Sequence, residues 1–350
     1  MDALPDRLEL KQLRELTVSN HCRQNYLFCW FITAIICSLA TASIATNKTS
    51  TAQTNTKSAE QRSITFSKVA SIGTLVLIPH GGQNIGGPVP VGAAFGSVKV
   101  SVPAGDWLAL ELNRQAFEHP NLIDSSSETG LDGLIITFMS MDDSENRWCD
   151  TALLHANHFK NLKCLVLNRS DVSDAGMSQL HGQPDMEWIT GFLTDIKGSC
   201  FKTFSQHKNL QRLEFFDVDL KQENLRYLSD CPRLSYVDFH HSGLTEVGVK
   251  YLSKCPNITT LRLGGNAKVN DTSIKYFLNM KHLSQLELDG TGTTVRGLMA
   301  LKPLHLDRLK VSECDPKDVP ALKTLARIVV FVPRSHGVDT RTQNLYAPLH

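Results

Sequence analysis

The chain has 350 residues, with 36 Lys+Arg against 35 Asp+Glu and a formal net charge of +1. That balance excludes the strongly basic footprint of a nucleic-acid binder and the bias of an acidic tail. Hydrophobic residues make up 41% and aromatic residues 7%, which excludes a multi-span membrane protein and a wholly disordered chain.

Between Arg23 and Lys48 no residue is charged. Within that window residues 26–45 are almost entirely apolar, and at about 1.5 Å per residue they reach roughly 30 Å, the hydrocarbon thickness of a bilayer. Residues 1–25 read as a cytoplasmic n-region, because Arg7, Lys11, Arg14 and Arg23 precede the span and positive flanks stay in the cytoplasm. The remainder is then extracytoplasmic. Two versions of the signal stand open. Ala40-Thr41-Ala42 offers the small-x-small pattern of a signal-peptide cleavage site near Ala42, whereas the length of the run favours an uncleaved transmembrane anchor. Residues 46–63 come next as a polar linker, Thr-rich at its start.

Residues 64–130 read as a small Gly-rich β region that caps the repeats beginning at residue 131. Leu75 to Ile78 is a short strand, and Pro79 to Gly96, with six Gly and three Pro, reads as turns and loop. Val98, Val100 and Val102 alternate with polar residues, as do Leu108, Leu110 and Leu112, so the two runs predict a hairpin around Pro103-Ala104-Gly105. His80-Gly81-Gly82 resembles the oxyanion segment of esterase-type α/β-hydrolases, but the chain has no G-x-S-x-G elbow to supply a nucleophile. An enzyme with its site near His80 is therefore the weaker reading.

Residues 131–331 carry the most specific pattern, a period of 24 residues over about eight units. The frame L-x-x-L-x-L opens at Leu131, Leu162, Leu210, Leu234, Ile258, Leu283 and Leu306, with a degenerate unit at Met186 and Ile189 and a truncated one at Leu325, Ile328 and Val330. Each unit continues into a second half such as Ser173-Asp174-Ala175-Gly176-Met177 or Thr245-Glu246-Val247-Gly248-Val249. The pattern predicts a short parallel strand, a turn and a helix of two or three turns that buries its apolar side on the strand. The fold class is α/β, a solenoid of stacked units, with residues 332–350 as a C-terminal tail.

These residues resemble the leucine-rich repeat family, in its bacterial 24-residue type. Cys231-Pro232 and Cys255-Pro256, each three residues before a strand-opening residue, are similar to its cysteine-containing subtype. The resemblance implies a scaffold that presents a concave sheet to diverse partners. Some members of the cysteine-containing subtype are substrate receptors of ubiquitin ligases, which is the alternative reading. Against it, no F-box-like segment precedes the repeats.

Cys231 and Cys255 occupy equivalent places in adjacent units, within reach of a disulfide, but buried unlinked thiols are the favoured reading. His155 with His158, and His240 with His241, have no third ligand close in sequence, and neither a Walker loop nor H-E-x-x-H is present. No catalytic, cofactor or metal residue is assigned.

Strand residues that alternate with the core positions point to the concave side. The candidate partner-binding residues are Trp188, Phe192, Arg212, Glu214, Phe216, Tyr236, Asp238, His240, Arg262 and Glu287, with Asp289, Arg308 and Lys310 further along. Trp188, Phe192, Phe216 and Tyr236 form one aromatic patch beside mixed charge, the composition of interface hot spots. The expected function is non-enzymatic binding of another protein or an envelope polymer, without nucleic acid or cofactor. Truncating Trp188 and Tyr236 together is expected to leave thermal stability nearly unchanged; the alternative is that the irregular unit at Met186 tucks Trp188 or Phe192 into the core, in which case stability falls.

Overall fold

The computed structural model describes residues 59–79, 87–140, 142–145 and 147–333. The apolar span at 26–45, the linker up to residue 58, His80-Gly81-Gly82 and residues 334–350 lie outside the described residues. Among the described residues no helix is long and apolar enough to cross a membrane.

Five strands precede the repeats: β1 (Glu60–Thr65), β2 (Gly73–Pro79), β3 (Val89–Ala93), β4 (Ser97–Val102) and β5 (Asp106–Leu112). β1 begins inside the stretch read as linker, and β3 lies inside the stretch read as loop. The hairpin expected between β4 and β5 does not form. β4 pairs with β1, while β5 lies between β2 and the first repeat strand. The reason is in β5 itself: Leu108, Leu110 and Leu112 bury one face, and Trp107 and Ala109 bury the other. A strand apolar on both faces needs neighbours on both edges and cover on both sides.

The repeats supply β6 (Gly133–Ile135), β7 (Cys164–Val166), β8 (Ser170–Ser173), β9 (Trp188–Phe192), β10 (Thr194–Asp195), β11 (Arg212–Phe216), β12 (Tyr236–Asp238), β13 (Thr260–Arg262), β14 (Gln285–Glu287), β15 (Leu306–Ser312) and β16 (Ala326–Val332). β8 and β10 form a small parallel ladder of their own. The others join one 12-stranded sheet in the order β16-β15-β14-β13-β12-β11-β9-β7-β6-β5-β2-β3, parallel from β5 to β16. This mixed α/β architecture, with its long parallel sheet, is compatible with a leucine-rich-repeat-like solenoid.

The middle residue of each frame lines up across the sheet: Leu134, Leu165, Ile189, Leu213, Val237, Leu261, Leu286 and Leu309 are in register, and all have no exposed surface. The degenerate unit has Gly191 where its neighbours carry a third large residue. A Cβ on Gly191 would lie 2.6 Å from the Phe215 ring, so the ring of the next unit fills the place. The last frame is displaced by one residue from its sequence reading. Leu309 pairs with Val329 and Val311 with Phe331, whereas Ile328 pairs with Arg308 and is 41% exposed. Ile328 to Val332 is apolar at every position, so no alternation marks which residues face the core.

The helix side is held by side-chain caps that cross from one unit to the next. Asp150 accepts from the Ser173 amide and hydroxyl, Gln222 from the same two groups of Thr245, and Asp271 from those of Thr294. Ser173, Thr245 and Thr294 in turn cap their own helices. The glycine of the repeated motif is explained by this ladder, because a Cβ on Gly176 or Gly297 would lie 2.0 Å from a carboxylate oxygen of Asp150 or Asp271. The expected helices are reduced to 3-10 turns at Ser199–Gln206 and Gln222–Asp230. Cys231 and Cys255 are free and buried, and burial pushes each thiol up to about 12.

Candidate functional site

The sheet face opposite the main core is built from adjacent rows of side chains. One row runs through Ala109, Gly133, Cys164, Trp188, Arg212, Tyr236, Thr260, Gln285 and Arg308, which occupy paired positions on successive strands. The next runs through Ile135, Val166, Thr190, Glu214, Asp238, Arg262, Glu287 and Lys310. All ten residues expected on this face from the sequence lie in these rows or in the third, which carries Phe192, Phe216 and His240.

At its N-terminal end the face is apolar. Val76, Ile78, Trp107, Ala109, Ile135 and Cys164 form a second buried cluster, with Val166 and Trp188 packed against it. The Trp107 and Trp188 rings are 6.4 Å apart. Gly133 in β6 leaves room for the neighbouring thiol, since a Cβ there would lie 2.4 Å from the Cys164 Sγ. The sequence reading missed Trp107 and Ile135. The alternation of Trp107 and Ala109 with the leucines of β5 was the available signal.

In the middle, the Arg212 guanidinium is stacked between two rings, 5.1 Å from the Trp188 centroid and 4.3 Å from that of Tyr236, and it bonds Glu214. Burial pushes the Arg212 pKa down and that of Tyr236 up. Phe192 and Phe216 stack at 5.0 Å, with Arg169 over Phe192. Neither Trp188 nor Phe192 belongs to the main core, but both are held by packing. Truncating Trp188 and Tyr236 would therefore remove the contact with Trp107 and both walls around Arg212, and stability would fall, contrary to the expectation from sequence.

At the C-terminal end the face is a connected ion network. Arg262 donates to the Tyr236 hydroxyl at 2.9 Å and reaches Asp238 at 3.1 Å and Glu287 at 2.9 Å. His240 Nδ1 meets Asp238 at 2.5 Å, and its Nε2 lies 3.5 Å from Glu287. Lys310 lies 3.3 Å from Glu287 and 3.4 Å from Asp289. Space for His240 comes from the next unit, where a Cβ on Gly264 would sit 2.4 Å from the imidazole; His241 lies in the same way over Gly265. The pair His240-His241 thus rests on the pair Gly264-Gly265, one period of 24 residues later.

Burial acts against the charged forms of Asp238, His240, Arg262 and Glu287, and their partners outweigh it. Asp238 raises His240 to about 9, while His240 and Arg262 hold Asp238 low, and His240, Arg262 and Lys310 hold Glu287 well below the carboxylate range. These directions set the sign of the pH dependence. A histidine raised in the folded state contributes stability that is complete below its unfolded pKa of about 6.5 and lost as pH rises through about 9. Thermal midpoints are expected to fall between those limits in the wild type, and His240→Gln is expected to flatten that fall. A wild-type midpoint that stays level to pH 9.5 would contradict the assignment.

His240, Glu287 and Asp289 bring one ligand atom each within 4.8 Å of one another, a grouping invisible in sequence because His240 belongs to a different unit from the two carboxylates. Arg262 and Lys310 already supply the positive charge that a cation would bring there. The buried carboxylates of this face serve to fix their partners, Glu214 holding Arg212 and Asp238 and Glu287 holding the network. Trp188, Arg212, Phe216, Tyr236, His240 and Arg262 keep accessible surface.

No protein-family model matches the chain, and no curated protein matches it. Among solved structures it is similar to an internalin from Listeria monocytogenes str. 4b F2365, with 16% identity and a TM-score of 0.36, over 63% of this chain and 71% of that one. An overlap that loose carries no argument about function, which rests on the site alone.

Proposed function

We propose that the chain is a non-enzymatic recognition protein that binds another protein, or an envelope polymer, through the open face of its parallel sheet. The observation that carries this reading is the cluster at the middle of the face, where Arg212 is fixed between Trp188 and Tyr236 beside the stacked Phe192 and Phe216. Aromatic and arginine side chains ordered before binding lose little conformational freedom on association, and such residues dominate interface energetics. Carboxylates and cations in the adjoining network are paired with each other, which suits a mixed, protein-like surface better than a polyanion. The extracytoplasmic setting rests on the charge-free run at 26–45 and the basic residues before it.

Affinity capture on the immobilised full chain, with mass spectrometry of retained proteins, tests the reading. Arg212→Ala with Phe216→Ala is expected to abolish retention of the specific partner while the chain stays folded by circular dichroism. Undiminished retention would place binding elsewhere.

A further inference from the structure

The sheet ends, among the described residues, on a strand that is built to continue. β16 pairs with β15 on one side only. The opposite end of the sheet is blunted: β3 has Pro90 at its second position, and proline cannot donate to a ladder. β16 has no such protection. Its seven residues, Ala326-Arg327-Ile328-Val329-Val330-Phe331-Val332, hold one charge, and none is fully buried. Long apolar edges of this kind are pairing sites unless a partner covers them.

Which backbone groups face outward is fixed by the existing ladder. The Glu313 amide donates to the Val332 carbonyl, so Val332 and, by alternation, Val330 and Ile328 turn their backbone polar groups toward β15. Arg327, Val329 and Phe331 turn theirs outward. We propose that this edge binds a second copy of the chain, β16 against β16 in antiparallel register about a two-fold axis at Val329. In that register every outward residue meets an outward residue: Val329 faces the copy's Val329, and Arg327 faces the copy's Phe331. All three outward amides and all three outward carbonyls on each strand are then paired. The strand's single charge is set beside its single aromatic ring, twice by symmetry, where a guanidinium is favourably placed. On the other face Ile328, exposed in the monomer, meets Val330 of the copy. No like charges are opposed at the seam, since Arg327 is the only ionised residue of β16 and it lies 3.4 Å from Asp307 of its own chain. Self-complementarity of this kind is what an isologous contact requires. Pairing at this edge is independent of what the open face binds.

The test is the mass of the full chain in mild detergent by sedimentation, from about 1 to about 100 µM, because a contact this small is weak. The mass is expected to rise with concentration from 38.8 kDa toward about twice that value. Ile328→Lys, on an exposed side chain, is expected to stay monomeric while melting like the wild type, and Val247→Lys, exposed on a helix, is expected to dimerise as before. Val329→Cys supplies a second reading. Oxidation is expected to give a covalent dimer whose linked peptide joins residue 329 to residue 329, since hydrogen-bonded antiparallel pairs bring Cα atoms to about 5.5 Å, within disulfide range. A monomer at every concentration, or a dimer that survives Ile328→Lys, would overturn the proposal. So would proximity cross-links from residue 329 to the chain's own residues beyond Pro333, which would give the edge to that segment.

Discussion

Replacing Glu287 with alanine is expected to destabilise the protein by about 3–5 kcal/mol, the range found when one partner of a buried ion pair is removed. The size reflects what the carboxylate holds. Glu287 is 4% exposed and meets Arg262, His240 and Lys310, so its loss leaves three cationic groups close together with only Asp238 and Asp289 to compensate. Glu287→Gln keeps the shape and an acceptor, and is expected to cost less than the alanine variant while also lowering the His240 pKa, because one of the groups that raise it becomes neutral. Urea unfolding of the three proteins at pH 6.5 and pH 9 measures both effects. If Glu287→Ala unfolds within about 1 kcal/mol of the wild type, the network does not bear on stability and the rows of charge are a surface feature.

Phe215→Ala is expected to cost about 3–5 kcal/mol, the range for deleting a buried aromatic ring. This ring does double duty. Both contacts are with the preceding unit: the ring packs against Phe201, with centroids 5.8 Å apart, and it fills the space that Gly191 leaves. Gly191→Ala is expected to destabilise the wild type, because its Cβ would lie 2.6 Å from the ring. On the Phe215→Ala background the same change enters a cavity and is expected to be neutral or stabilising. The two substitutions should therefore be strongly non-additive, with a coupling above about 1 kcal/mol in a double-mutant cycle. Additive losses would mean that the degenerate unit closes by some other means.

Much of the architecture is legible because a repeat reports the same fact many times. A single Leu165 or Leu213 has no unique reading, but their spacing at 24-residue multiples marks one in-register column across the sheet. Legibility fails where the pattern loses contrast. β16 is apolar at nearly every position, so its register slips by one, and β5 is apolar on both faces, so its partners are not the neighbours in sequence. The open face shows the same division. Alternation identifies which side chains point there, including Trp188, Arg212 and Tyr236. It does not reveal that Arg212 is clamped between rings, or that Glu287 reaches back to His240, because these contacts join different units and depend on side-chain length. The clustering of Trp107 with Trp188 is hidden for a further reason, since Trp107 precedes the repeats altogether.

The most direct measurement is the dissociation constant of the captured partner for three forms of the full chain, each checked by thermal melting. These are the wild type, Arg212→Ala with Phe216→Ala on the open face, and Tyr227→Ala with Tyr251→Ala on the helix side. If the open face is the recognition surface, the first pair of substitutions weakens binding by about 30-fold or more, the equivalent of one hot-spot residue, and the second leaves it within about twofold. Equal loss from both pairs, or loss from the helix-side pair alone, would contradict the account.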